Sequence, residues 1–319
     1  MKRIACIGSI TTDIIVKPVN QVPTPGELWA VDSISTHVGG CASNAAIDLA
    51  KLGVPSELVC AVGSDQFGSF VRSTCEQNGV GTAGIHICLD VTTTTSMVCV
   101  SSAGERSFLY YPGSTSEFTL EHINMDVIKS CDIIFVAGAF LLSRFDGEPC
   151  AKLMKAAKEM GKFTVMDTAW DFDDVWLPKI KAVIPHLRLF MPSYDEAVKI
   201  TGRTEINEIA DVLFDLGAET VIIKNGKEGA FICESRECRY QLPTYLSVKP
   251  VDTTGAGDSF CAGFLAGLAM DWSYRKSGQF ANAVGTHCIM EIGASSGIKP
   301  VNEILQFMKE HESEVAIDD

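Results

Sequence analysis

Six short runs rich in Val and Ile recur along the chain: Ile4–Ile7, Leu58–Val62, Asp132–Val136, Phe163–Met166, Leu187–Met191 and Val221–Lys224. Runs this short and continuously apolar suit strands buried on both faces, which is the situation in a parallel sheet whose crossover helices cover it above and below. The stretches between and after them (Ala42–Leu52, Gly68–Gln77, Cys150–Met160, Tyr194–Thr201, Ile206–Leu216, Ser259–Met270 and Gln279–Glu291) repeat apolar residues at the helical period. The pattern predicts an α/β chain with three α/β/α layers and a mostly parallel central sheet. Two regions, Glu27–Thr36 and Thr92–Tyr111, instead alternate β-branched with polar residues, the second around the turn Ser102-Ala103-Gly104-Glu105. Alternation means a sheet with one open face. These segments are expected to form a small β lid over the carboxyl ends of the main strands, the plainer alternative being an extension of the main sheet. The chain reads as a single domain over 1–319, with lid segments inserted at about 10–37 and 90–112.

Composition narrows the class. Hydrophobic residues are 46% and charged residues 21% of the chain, enough for a large buried core. The formal net charge of −14, with no basic patch, opposes binding to nucleic acid or anionic membrane. An anionic ligand therefore needs local positive potential from Lys, Arg, a metal ion or helix N-termini. The start, Met1 to Gly8, has too few apolar residues for a signal peptide, and no run approaches a membrane span, so a cytoplasmic location is expected. The 12 cysteines show no CxxC spacing and mostly lie in apolar segments, as reduced core thiols do; Cys233 and Cys238, flanking a charged turn, are the candidate redox pair. Disorder is expected only at the acidic tail, Glu312 to Asp319.

The stretch Asp252-Thr253-Thr254-Gly255-Ala256-Gly257-Asp258-Ser259-Phe260-Cys261-Ala262-Gly263-Phe264-Leu265 runs from a polar, glycine-rich loop straight into an apolar helix. Small residues at Gly255, Ala256 and Gly257 let backbone N–H groups converge on an anion, and the following helix adds positive partial charge. Such a pocket suits the charge on a phosphoryl group in transfer. A carboxylate at its edge, Asp258, would accept the proton of an attacking hydroxyl and orient that oxygen. The bland reading of Asp258 is a helix N-terminal acid favoured by the dipole.

Read whole, residues 252–265 resemble the C-terminal signature of the PfkB carbohydrate kinases, a ribokinase-like group. Val38-Gly39-Gly40-Cys41-Ala42-Ser43-Asn44-Ala45-Ala46 resembles that family's di-glycine segment, and Gly8-Ser9-Ile10-Thr11-Thr12-Asp13 its first strand and turn. Val62-Gly63-Ser64-Asp65-Gln66-Phe67-Gly68 also resembles a family segment, read as structural. The resemblance implies an ATP- and magnesium-dependent kinase that phosphorylates a hydroxymethyl group of a small sugar or sugar-like alcohol. By the same resemblance Asp13, Gly39, Gly40 and Asn44 line the sugar site. Lys224-Asn225-Gly226-Lys227-Glu228-Gly229 resembles the loop under the ATP, with Gly226 and Gly229 the matching glycines. Lys224 stands where many relatives have Thr, either reaching phosphate as a point charge or ending a strand in solvent. Asn282 falls near the expected adenine position. Where relatives carry Asn-x-x-Glu for magnesium and phosphates, this chain has Ser193-Tyr194-Asp195-Glu196, keeping Glu196 and replacing Asn with Ser193; magnesium would be held mainly through water. Asp252 and Thr254, with the late loop Gly293 to Gly297, match a monovalent-cation site, so potassium is a further expectation. Arg106, on the expected lid, is a candidate for an acidic substrate or phosphate product. His37, beside the di-glycine, is more often structural.

After the first strand, Gly8-Ser9-Ile10-Thr11-Thr12-Asp13 lacks the second and third glycines of GxGxxG, and GxxxxGK[ST] is absent, which removes a dinucleotide-binding reading of that turn and a P-loop reading. A nucleoside kinase remains as an alternative, because the lid offers both Trp29 and Thr-rich strands, and so does a non-catalytic sensor binding sugar or nucleotide on the same fold, towards which Ser193 in place of Asn leans while Asp258 and the intact Gly255-Ala256-Gly257 loop favour catalysis. A homodimer through the exposed lid edges is expected.

Overall fold

The computed structural model describes residues 1–316. In chain order the strands are β1 Ile4–Gly8, β2 Thr11–Lys17, β3 Ser33–Gly39, β4 Ser56–Gly63, β5 Gly81–Cys88, β6 Thr95–Val100, β7 Arg106–Tyr111, β8 Ile133–Ala139, β9 Phe163–Thr168, β10 Leu189–Phe190, β11 Val221–Lys224, β12 Ala230–Cys233 and β13 Arg239–Leu242. The helices are α1 Cys41–Lys51, α2 Gln66–Gln77, α3 Gly113–Glu117, α4 Met125–Ser130, α5 Glu148–Glu159, α6 Leu177–Ile180, α7 Tyr194–Thr201, α8 Ile206–Asp215, α9 Ala256–Ala269, α10 Tyr274–Cys288 and α11 Val301–Glu310.

Nine strands form the main sheet in the order β13-β12-β11-β10-β9-β8-β1-β4-β5. From β5 to β11 all pairings are parallel, and β12 and β13 add an antiparallel edge. Strand β1 sends Ile4 and Cys6 into one helical layer, with α1, α9 and α10, and Ala5 and Ile7 into the other, with α5 and α8. Its five residues are all buried, as a strand covered on both faces requires. Strands β8 and β4 flank β1 on opposite sides, so the strand order reverses at β1, the place in an open α/β sheet where ligands sit at the carboxyl ends of the strands.

A separate four-stranded sheet, β3-β2-β6-β7, rises at this end. It is the expected lid and no extension of the main sheet, though its strands differ from those expected. The segment 27–32 forms no strand, and β2 supplies the second strand instead. Strands β2 and β6 run parallel and the outer pairs antiparallel.

Helix starts also shift. Helix α9 begins at Ala256, three residues before the periodicity does, so Asp258 lies in its first turn. Helix α10 begins at Tyr274, where the Ser273 side chain accepts from Lys276 N–H. Strand β10 is shorter than expected, yet Arg188 N–H still reaches Thr164 C=O and Met191 N–H reaches Met166 C=O, continuing the ladder. In the acidic tail, Glu312–Glu314 form a 3-10 turn and Glu314 accepts the Ser247 hydroxyl at 2.7 Å; residues 317–319 lie outside the described residues. Cys233 is buried and Cys238 exposed, both as free thiols. Among the described residues no helix is long and apolar enough to cross a membrane.

Candidate active site

The di-glycine turn brings the lid down onto the main sheet. Gly40 has φ 97°, and a Cβ there would lie 2.6 Å from the Ile10 Cα and the Ser9 carbonyl. A Cβ at Gly39 would overlap the Asp13 carboxylate. The two glycines therefore let β3 pass close enough to β2 for Asp13 to sit against the turn. Burial pushes the Asp13 carboxyl up to about 6. Asp13 pairs across the lid with His37 on β3 and Ser96 on β6, and Ser96 pairs with Tyr110 on β7. Paired residues share a face, so this row of polar groups lies on one side of the lid. The Tyr110 hydroxyl is pushed up by burial and then by the nearby Cys41 and Asp13, which puts that side towards α1.

Helix α1 meets α9 at the crevice. Asn44 Nδ2 donates to Asp258 Oδ2 at 2.8 Å, and Asn44 Oδ1 is buried with no partner among the described residues. Gly255 caps α9 with φ 80°, and a Cβ there would come within 2.6 Å of the Ala294 Cβ. Burial raises the Asp258 carboxyl above the usual range, opposed by Asn44, Lys224 and Cys41. Helix, loop and Asp258 line one cavity of about 730 Å³ together with Glu196, Lys224, Gly226, Gly229 and Asn282. A second hollow of about 480 Å³, beside Lys2 and Trp272, contains none of the expected site residues.

Lys224 does not end in solvent. Its ammonium lies 2.6 Å from Asp167 Oδ1, 3.6 Å from Cys261 Sγ and 3.5 Å from where a Cβ on Gly257 would stand. Burial alone would lower its pKa, but Asp167 reverses that and keeps it charged. The pair thus fixes the Lys224 ammonium beside the glycine loop in an acidic protein. Asp167, whose carboxyl burial pushes up to about 7, was not singled out from the sequence. Its signal was position: it is the first charged residue at the carboxyl end of an apolar strand run.

Ser193 and Glu196 form a capping box on α7: Ser193 Oγ accepts from Glu196 N–H at 3.4 Å, and Glu196 Oε2 accepts from Ser193 N–H at 2.8 Å. Thr168 Oγ1 also donates to Glu196 Oε2 at 2.8 Å. The serine that replaces Asn therefore holds the helix start, and Glu196 keeps its place. Gly229 has φ 80°, and a Cβ there would overlap the Leu242 carbonyl, whereas Gly226, with φ 52°, faces open space. Asn282 Nδ2 donates to Pro243 C=O at 2.8 Å and ties α10 to the segment that closes the cavity.

Arg106 pairs with the loop that precedes the glycine turn. From β7 it crosses the cleft to Asp252, 2.8 Å from Nη2 to Oδ2, and it also donates to Thr254 Oγ1. Asp252 further accepts the amides of Thr254 and Gly293, each at 3.0 Å. Burial would raise this carboxyl, but Arg106 and the two amides carry it down to about 2.

A glycine turn at the start of α9, a half-buried carboxylate in its first turn and a β lid across the cleft define a lidded ribokinase-like α/β protein. The family model for pfkB family carbohydrate kinases matches residues 1–301. The chain belongs to that family and is a carbohydrate kinase. It is 29% identical to the probable fructokinase-5 of Arabidopsis thaliana, over 85% of this chain and 88% of that protein. It is 26% identical to a ribokinase of Haemophilus influenzae, over 97% of this chain and 99% of that one. In fold it is similar to the Arabidopsis thaliana ribokinase complexed with ribose and ATP, with TM-score 0.86, 23% identity and coverage of 97% and 99%. A putative ribokinase II of E. coli in complex with ATP and magnesium gives TM-score 0.85 at 21% identity, covering 98% and 100%.

Proposed function

We propose that this kinase transfers the γ-phosphoryl group of ATP to a hydroxymethyl group of a small neutral sugar or sugar-like alcohol, with Asp258 as the base and Gly255, Ala256 and Gly257 as the anion hole. The observation that carries the reading is the Asn44–Asp258 pair: one amide group braces the carboxylate through its nitrogen while its buried oxygen lacks a donor. A substrate hydroxyl supplies that donor, and a buried acceptor left unpaired is costly, so hydroxyl-rich ligands are favoured. Asp13, Ser96 and Tyr110 on the lid offer further hydroxyl partners, and a raised Asp258 suits a base working near neutral pH. The names of the fructokinase and ribokinase relatives agree with a sugar.

In this mechanism the lid closes over the sugar and excludes water that would hydrolyse ATP. Asp258 takes the proton of the attacking hydroxyl as the oxygen forms its bond to the γ-phosphorus. The amides of the glycine loop and the Lys224 ammonium stabilise charge on the phosphoryl oxygens. Gly226 and Gly229 let the loop lie flat under the nucleotide, and Asn282 borders the base end. The residues fit magnesium: both bonds to Glu196 fall on Oε2, which leaves Oε1 as a hard oxygen donor for a water-shelled ion. When bound, magnesium neutralises charge on the β- and γ-phosphates. The fit to potassium is poor, because the Arg106 guanidinium already neutralises Asp252, and no step runs through it. The outer lid face carries Ile34, Met97, Leu109 and Tyr111, exposed by 39–65%, and a second copy of this chain would cover them.

The test is ATP turnover in magnesium buffer across ketoses, aldoses, sugar acids, cyclitols and nucleosides. Turnover with a neutral sugar or cyclitol, lost in Asp258→Asn, supports the reading. Turnover with nucleosides alone would move it to the nucleoside class, and ligand-induced thermal stabilisation without turnover would make the chain a sensor.

A further inference from the structure

Helix α1 grips α9 twice. Asn44 and Asp48, one turn apart, lie on the same face of α1 and meet two consecutive residues of α9. Asn44 donates to Asp258 at 2.8 Å, and the Ser259 hydroxyl donates to Asp48 Oδ2 at 2.6 Å. Asp48 and Ser259 are both fully buried, within the apolar layer formed by Ala45, Ala46, Cys261 and Ala262. A carboxyl in such a layer is costly unless something specific engages it. Asp48 Oδ1 has no partner among the described residues, so its one well-formed bond is to the residue that follows the proposed base. Facing Asp48 are Asp258 from α9, Ser295 from the late loop, Lys51 from its own helix, Cys6 from β1 and Cys288 from α10.

Consecutive residues on a helix point about 100° apart. The anchor at Asp258 fixes one direction of the first turn of α9 and the anchor at Ser259 a second, about 100° away, so together they hold the turn's rotation more tightly than the packing of the rest of the helix does. A rotation of about 10° at a side-chain radius of about 6 Å moves a carboxylate by about 1 Å, and misplacement by about 1 Å costs on the order of a hundredfold in rate. We propose that Asp48 is a positioning residue: by accepting the Ser259 hydroxyl it locks the rotation of α9 and aims Asp258 at the substrate oxygen. The proposal rests on the reading of Asp258 as the base.

The experiment compares Asp48→Ala, Asp48→Asn, Ser259→Ala and the Asp48→Ala/Ser259→Ala double variant. Asp48→Ala is expected to lower kcat by about 30- to 100-fold with both KM values within about threefold. Asp48→Asn, whose amide oxygen accepts the same bond, should stay within about threefold of the parent, and the double variant should be no worse than Asp48→Ala. A purely structural carboxyl would lower the melting temperature and leave kcat per folded molecule unchanged; that result, or additive losses in the double variant, overturns the proposal. Amide hydrogen exchange gives a readout independent of turnover. Residues 256–260 should exchange faster in Asp48→Ala and at the parental rate in Asp48→Asn, with α10 unchanged in both. If the parent enzyme turns over no sugar, the reading of Asp258 fails, while exchange still decides whether Asp48 holds the turn; unchanged exchange at 256–260 sinks it.

Discussion

The two walls of the cleft differ in how they are held. From Ser259 to Gly267, α9 is buried without a break, whereas every residue of β7 on the lid is exposed. The first wall is held by packing and by the two bonds from α1, and it carries the proposed base and anion hole. The second carries Asp13, Ser96 and Tyr110, the proposed hydroxyl partners, on a sheet with little buried apolar area of its own. Low local stability on that side is what closure requires. Arg106 spans the two walls and ends on the loop that leads into the proposed anion cradle, so lid position and the geometry of that loop are linked through one side chain.

The contrast can be broken most severely on the α9 side. Asp258→Asn should lower kcat by about 10³-fold while ATP affinity, read by calorimetry, changes by no more than a few-fold; a variant within tenfold of the parent would remove the base from the mechanism. Arg106→Ala should reduce kcat/KM for the sugar by about tenfold through loss of closure, with a fall in melting temperature too small to explain it; unchanged kcat/KM would uncouple lid from cradle.

Stability sharpens the same comparison. Gly255→Ala should cost roughly 1–3 kcal/mol, since φ is 80° and Ala294 fills the space a Cβ needs, whereas Gly104→Ala at the lid turn, with φ 85° and open space around it, should cost about 1 kcal/mol. Equal losses in a denaturant titration would contradict the view that packing holds only one wall. On the lid, Asp13 has a folded-state carboxyl near 6 against an ordinary 3.8. A raised carboxyl pKa favours folding while the group is protonated, so its contribution is complete below about 3.8 and is lost as pH rises through about 6. Asp13→Asn should therefore be more stable than the parent at pH 8, by on the order of 2 kcal/mol, and equal to it near pH 3.5; a difference that does not change with pH would dissociate the shift from Asp13. The smallest effect on the fold itself is expected at the outer lid face, where Leu109→Ser with Met97→Ser should turn the proposed dimer into a monomer by sedimentation without altering monomer secondary structure; a parent that sediments as a monomer removes the dimer.

Much of the α9 wall was legible in the sequence, because its signals are local. A glycine that must take positive φ, small residues before a helix and a carboxylate in the first turn all lie within a few residues of each other. The lid was legible as a region and misread in detail: β2 holds Thr11, Thr12 and Asp13, which read as a turn, and becomes a strand only because β3 and β6 flank it. The edge strands β5, β12 and β13 were not foreseen for a related reason. Gly81 and Gly84 in β5, and the polar Arg239 to Gln241 in β13, carry weak strand preference and are ordered by their neighbours.

By itself the sequence determined the α/β layering, the glycine cradle and Asp258 at its edge, since periodicity and backbone stereochemistry act within about one or two turns of chain. Only the tertiary structure decided what those groups touch. Asn44 and Asp258 are 214 positions apart, Ser259 and Asp48 211, Arg106 and Thr254 148, and Lys224 and Asp167 57. Arg106 could be read from sequence as a surface cation, Lys224 as a strand end and Asp48 as one polar residue on an apolar helix. Each acquires its role when strand order and helix packing desolvate it beside a particular partner, because burial makes one well-placed hydrogen bond or opposite charge outweigh everything the local chain prefers.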